Sequence, residues 1–120
     1  MRFEDLVAWQ QARQLVSSVY RVTGAPPLVS DFGLSSQIQR AAVSIMTNIA
    51  EGFERQHLKE KSHFYSIARA SAGEVRSLSY VIDDNYPKRA DEAKQIREET
   101  IEVGKLISGL IRSTSARTKS

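Results

Sequence analysis

The side chains able to do chemistry gather around one segment, RAAVSIMTNIAEGFER, from Arg40 to Arg55. Gln37, Arg40, Ser44, Asn48, Glu51 and Arg55 follow one another at steps of three, four, four, three and four. On a helix such steps draw a single polar stripe. Glu51 could work with His63 as an acid–base pair across a turn, although an ordinary surface hydrogen bond explains the same two residues. His57 and His63 lie six apart and do not share a helix face. No HExxH, glycine-rich phosphate loop or nucleophile elbow occurs. Asp83, Asp84 and Asn85 lack the alternating ligands and the glycine of an EF-hand loop. There is no cysteine, which excludes disulfides and thiolate metal sites. These residues therefore point to no catalytic site, no metal and no cofactor.

The polar stripe asks instead for a partner within protein. Serine and asparagine are poor helix formers, and a freely solvated face is better served by Glu, Lys or Ala. A second segment offers matching groups, Ser71 and Glu74, in line with Phe64, Ile67 and Leu78. A turn centred near His57 would pair antiparallel positions whose numbers sum to about 114. Arg40 then faces Glu74, Ser44 faces Ser71, and Glu51 falls near His63 or Phe64. An Arg40–Glu74 salt bridge is expected, with Ser44 and Ser71 alongside. Loss of one partner would cost about 3–5 kcal/mol if the pair is buried and about 0–1 kcal/mol if it is exposed. The polar network Arg40, Ser44, Asn48, Glu51, Ser71 and Glu74 is read as structural, setting helix register or lining a surface between subunits. A ligand or nucleic-acid groove is the other reading.

Four helical segments must position these groups. Leu6, Trp9, Ala12, Val16, Val19 and Thr23 mark a first helix over about Asp5–Thr23, with Asp5 as cap or first-turn acid. TGAPPLVSDFG, Thr23–Gly33, breaks it with two glycines and two prolines, and this longest connection is expected to reach over a neighbour. A second helix begins near Leu34 or Ser35 and runs to about Arg55 on Leu34, Ile38, Ala41, Ile45 and Ile49, with Gly52 loosening or stopping its end. A third, about Lys59–Ile82, carries Phe64, Ile67, Ala68, Val75 and Leu78, and Asp83–Lys88 is read as a turn. A fourth, about Ala90–Arg112, carries Ala93, Ile96, Val103, Ile107 and Leu110, weakened by Gly104 and Gly109. No strand pattern competes. The expected fold is all-α, an antiparallel up-down-up-down four-helix bundle over residues 1–112, with 113–120 as a flexible basic tail.

Bulk properties fit one ordinary domain. The 120 residues are 41% hydrophobic and 26% charged. The sequence pI is near 9.4, but its net charge of +3 sits in the last residues. Arg112, Arg117 and Lys119 leave 14 basic against 14 acidic residues in the remainder. The start, MRFEDLVAWQ, lacks the apolar run of a signal peptide. The longest stretch free of charge, Ala41–Ala50, is too short to span a bilayer. Cytoplasmic residence and no membrane partner are expected.

Three blocks carry a family resemblance: FEDLVAWQQARQLVSSVY from Phe3, FGLSSQIQRAAVSIMTNIAEGFER from Phe32, and FYSIARASAGEV from Phe64. Together they resemble the four-helix-bundle proteins named for 23S ribosomal RNA intervening sequences. The most specific part is a glutamine, an Arg-Ala pair, a serine and then Asn-Ile-Ala-Glu-Gly. Ala70 departs, standing where the family often has glycine. The resemblance implies a bundle that assembles into a ring-shaped homo-oligomer, commonly a pentamer, with no established enzymatic activity. The related accessory variability proteins of diversity-generating retroelements pair this bundle with a reverse transcriptase and nucleic acid on a strongly basic surface. The first 111 residues here are formally neutral.

The leading functional expectation is a non-enzymatic, self-assembling adaptor or scaffold for a protein or ribonucleoprotein partner. The alternative is direct binding of RNA or DNA. Its candidate contacts are Arg55, Lys59 and Lys61, then Arg112, Arg117 and Lys119, with smaller groups at Arg13 and Arg21 and at Lys88 and Arg89. Trp9, Tyr20, Phe53, Tyr65 and Tyr80 exceed what the inward stripes need, which reads equally as a mild sign of assembly, since Tyr and Trp favour interfaces, or as partly buried bundle residues.

Overall fold

The computed structural model describes the backbone of residues 1–119 and the side chains of 1–117. Four α-helices account for most of it: α1 (Val7–Thr23), α2 (Phe32–Glu54), α3 (Leu58–Asn85) and α4 (Ala90–Lys119). No strand occurs among the described residues. Consecutive helices pack on one another, and α1 also packs on α4. The result is a rod of 51 × 21 × 19 Å. Its length follows from α4, whose 30 residues rise about 1.5 Å each.

The apolar stripes meet along the rod axis. Leu15, Val19 and Val22 of α1 join Ile38, Ile45 and Ile49 of α2, Val75 and Ile82 of α3, and Ile96, Val103 and Ile107 of α4, all fully buried. Each such side chain contributes about 1.5–3 kcal/mol by leaving water. Ala41 and Ala42 of α2 and Ala68 and Ala72 of α3 are buried too, and their small size brings these helices close. Gly52 shows how close. A Cβ there would lie 2.6 Å from Cε1 of Tyr65 and 3.2 Å from the Lys61 carbonyl. Gly52 therefore does not stop α2, as the sequence suggested; it makes room for α3.

Helix ends differ from expectation in four places, each for a local reason. α1 starts at Val7, after a 3-10 turn at Phe3–Asp5 and an extended Leu6; the Asp5 carboxylate accepts the Arg2 N–H at 3.0 Å and caps that turn instead. α2 starts at Phe32 because Asp31 is its N-cap, accepting the Leu34 N–H at 3.1 Å. α3 continues through Asn85, so Asp83 is helical and pairs with Arg97 of α4; Pro87 follows where a helix cannot easily go on. α4 does not end near Arg112: residues 113–119, expected as a flexible tail, continue it to Lys119. Thr114 is only 4% exposed, so the added turns pack on the bundle.

The long connection is tied down. Leu28 is buried, and its carbonyl accepts from Ser35 Oγ at 2.7 Å. Arg89 donates to the Pro26 carbonyl through Nε at 3.0 Å and a terminal nitrogen at 2.6 Å. Tyr86 donates its hydroxyl to Asp31 at 2.6 Å, joining the end of α3 to the start of α2. These bonds place Phe32 at the rim of the α2–α3 seam.

Candidate functional site

The α2 stripe divides into three parts with different surroundings. At its centre, Ser44 Oγ and Ser71 Oγ lie 2.9 Å apart and either can donate. Asn48 Nδ2 donates to the Ser44 carbonyl at 2.8 Å and to Ser44 Oγ at 3.1 Å. All three residues are half-buried. Partner numbers fall along α3 as they rise along α2, from Ser44–Ser71 to Gly52–Tyr65, so this pair of helices runs antiparallel. The polar groups thus link α2 to α3 without leaving a buried donor idle.

Toward the α2–α3 turn the stripe closes on itself. Arg55 pairs with Glu51 at 3.0 Å and Glu60 at 3.6 Å, and its guanidinium lies 4.6 Å from the centre of the Phe64 ring. Glu51 is therefore not paired with His63, which instead meets the edge of Phe64. Lys61 donates to the Phe53 carbonyl at 2.6 Å and the Gly52 carbonyl at 3.3 Å, satisfying the end of α2. Burial holds the Lys61 ammonium below its ordinary range, and Arg117 of α4 acts in the same direction. Burial also pushes the Tyr65 hydroxyl up. Hence Arg55 and Lys61, two expected nucleic-acid contacts, are engaged within the protein. Lys59 is exposed, Arg117 lies by Lys61 and Tyr65, and Arg112 lines a groove between α3 and α4. The Lys119 side chain lies outside the described residues.

Toward the start of α2 the stripe opens. Phe32, Ser36, Gln37, Arg40, Ser44, Ser71 and Glu74 border a groove of about 760 Å³. It continues past Arg40 to Tyr20, Val43 and Thr47. Arg40 and Glu74 line the same groove, yet the expected salt bridge between them is not made. Neither takes part in an ion pair or side-chain hydrogen bond among the described residues. Both are exposed, where pairing returns little against the entropy of fixing two long side chains. The register was legible; the closure of the pair was not. Phe32 is 81% exposed and Tyr20 49%. By sequence Phe32 falls inside the break; the signal for the earlier helix start is Asp31, three residues ahead of Leu34, as a cap.

The polar groups of this groove are the Ser44–Ser71 hydroxyl pair, the Ser36 hydroxyl, the Gln37 carboxamide, the Arg40 guanidinium and the Glu74 carboxylate, on an open surface. Among the described residues no group of three His, Cys, Asp or Glu could hold a metal ion. No helix is long and apolar enough to cross a membrane among those residues.

The model of the family described as 23S rRNA-intervening sequence protein matches residues 4–109. A comparison with curated proteins gives no match. Among solved structures, the chain is similar to a protein of unknown function from the S23 ribosomal protein family of Bacteroides thetaiotaomicron. That similarity has a TM-score of 0.79 at 20% identity and covers 88% of this chain and 98% of the other. At that identity the likeness concerns the fold.

Proposed function

The chain belongs to the 23S rRNA-intervening sequence protein family, and from that premise we propose that it is a non-enzymatic, self-assembling scaffold of the cytoplasm. Its up-down-up-down bundles form a ring-shaped homo-oligomer, and the ring docks a protein or ribonucleoprotein partner. Five copies is the number that the family resemblance carries. The observation that supports assembly is the open end of the α2–α3 groove. There a phenylalanine is exposed beside an arginine and a glutamate of opposite charge, none of them used within the chain. An exposed large aromatic beside unmatched charges is the composition of an interface core with its polar rim. Arg40 on the α2 rim of one copy reaches Glu74 on the α3 rim of the next; with one rim of each copy used on either side, the contact is head-to-tail and closes into a ring when its rotation permits.

Charge reversal tests this arrangement. Arg40→Glu and Glu74→Arg each place like charges across the contact and dissociate the assembly, whereas the double variant Arg40→Glu/Glu74→Arg restores it. Light scattering on the full chain reads the mass. Unchanged mass in both single variants would remove Arg40 and Glu74 from the contact.

A further inference from the structure

A second groove, of about 630 Å³, lies between α3 and α4 and shares no lining residue with the first. Arg69 and Arg76 line it from α3, and Lys105 and Arg112 from α4. No acidic residue lines it. In each helix the two cations are seven residues apart, two turns, which puts them on one face about 10.5 Å from each other. A short turn joins the two helices, and Arg97 meets Asp83 and Ser79 across them. This register sets Arg76 near the level of Lys105, and Arg69 near that of Arg112. Two short basic rails therefore flank one floor.

These charges are not spent within the protein. Arg69, Arg76 and Arg112 have no ion pair and no side-chain hydrogen bond among the described residues. Lys105 has only an exposed contact with Glu102 at 3.5 Å. In a body that is formally neutral over its first 111 residues, four cations along a lining that holds no acid make a local positive field, with Glu102 offsetting part of one of them from outside the lining. The floor includes Gly73 and Gly104, both inside helices, where glycine is the poorest residue after proline. Packing does not require either: a Cβ at each position would meet nothing within 4 Å. What their bareness provides is a low floor on which a ligand's backbone can rest.

We infer that the α3–α4 groove binds the phosphate backbone of a nucleic acid, through Arg69, Arg76, Lys105 and Arg112. This goes beyond the assembly reading and stands apart from it. The cations are strung along the groove and do not converge on one point, so they suit a line of charges better than a single small anion. Their spacing along each rail is about three phosphate steps at ~3.4 Å per strand. No aromatic residue lines the groove, so bases have no stacking platform, and recognition is of the backbone without sequence preference. Of the four, only Arg112 is among the contacts expected from the sequence.

The test uses the full chain and a fluorescent DNA duplex, titrated over a range of salt. Wild type binds at low salt and weakens as salt rises. Arg69→Gln/Arg76→Gln lowers the magnitude of the log–log salt slope by about 1.8 and weakens binding about a hundredfold at about 50 mM salt. Arg2→Gln/Lys94→Gln removes the same charge from exposed positions outside the groove and binds as wild type. Gly73→Glu places a carboxylate on the floor at a position where a Cβ meets nothing within 4 Å; it keeps the helical circular dichroism spectrum and the native mass and loses binding. The inference is overturned by any of four results: wild type fails to bind at low salt, the groove variants bind as wild type, the control loses as much, or the groove variants change the subunit mass. Competition by polyglutamate as strong as by DNA at equal charge would also overturn it, making the occupant an acidic protein.

Discussion

Gly52→Ala adds one methyl group at the tightest point between α2 and α3. The new carbon would sit 2.6 and 2.7 Å from two ring carbons of Tyr65 and 3.2 Å from the Lys61 carbonyl, where carbon atoms prefer about 3.5–4.0 Å. Neither neighbour gives way easily. Tyr65 is 4% exposed, and Lys61 is held by its own bonds to the Gly52 and Phe53 carbonyls. Overpacking of this kind costs about 1–3 kcal/mol. Alanine returns about 0.5–1 kcal/mol because it suits a helix better than glycine, leaving a net loss of up to about 2.5 kcal/mol. Gly73→Ala is the internal reference, with the same chemistry and no neighbour within 4 Å; it gains about 0.5–1 kcal/mol. The difference between the two variants isolates the contact with Tyr65. Urea unfolding at one fixed protomer concentration measures both, since assembly makes stability depend on concentration. Tyr65→Leu in the Gly52→Ala background should recover part of the loss, a coupling between neighbours. If Gly52→Ala were as stable as Gly73→Ala, the close approach of α2 and α3 described here would be wrong.

Two further predictions concern the polar contacts. Ser44→Ala removes a partner from both Ser71 and Asn48 and should cost about 0.5–1.5 kcal/mol; Ser44→Ala/Ser71→Ala should cost less than the sum of the two single changes in urea unfolding, and strict additivity would argue against the bond. The Asp31 carboxyl is held below its ordinary 3.8, first by the Tyr86 hydroxyl and then by the Leu34 amide. The unfolded chain then binds more protons between the lowered value and 3.8, so this stabilisation is complete above that window and is lost as pH falls through it. Tyr86→Phe should move the Asp31 titration, followed by carboxyl-carbon NMR, upward toward 3.8; an unchanged titration would exclude the hydroxyl as its main cause.

The four helices were legible because apolar spacing is a local signal, and Ile38, Ile45 and Ile49 occupy the buried face their spacing implies. The Ser44–Ser71 level followed from one turn and a fixed rise per residue. Where sequence reasoning fell short, the deciding fact was not local. The Asp31 cap was hidden because Gly33 looked like a breaker, although the helix passes through it. The last turns of α4 have no apolar period, and Thr114 is buried only because other helices are there. Arg40 and Glu74 stand at the right level, but whether two exposed charges close depends on water and side-chain freedom, which spacing does not report. Gly52 looked like a stop until Tyr65 was placed against it. The α3–α4 groove was out of reach because Arg69 and Arg76 and the pair Lys105 and Arg112 are unremarkable in their own segments and become one surface only when the helices pack.

Native mass spectrometry of the unmodified full chain bears most directly on assembly through the exposed Phe32 end of α2. A 13.4 kDa protomer that assembles gives a discrete multiple of that mass, five-fold for the proposed ring, and Phe32→Asp shifts it toward the single protomer. A single protomer for the unmodified chain, at concentrations where the helices are fully formed, would contradict the proposal.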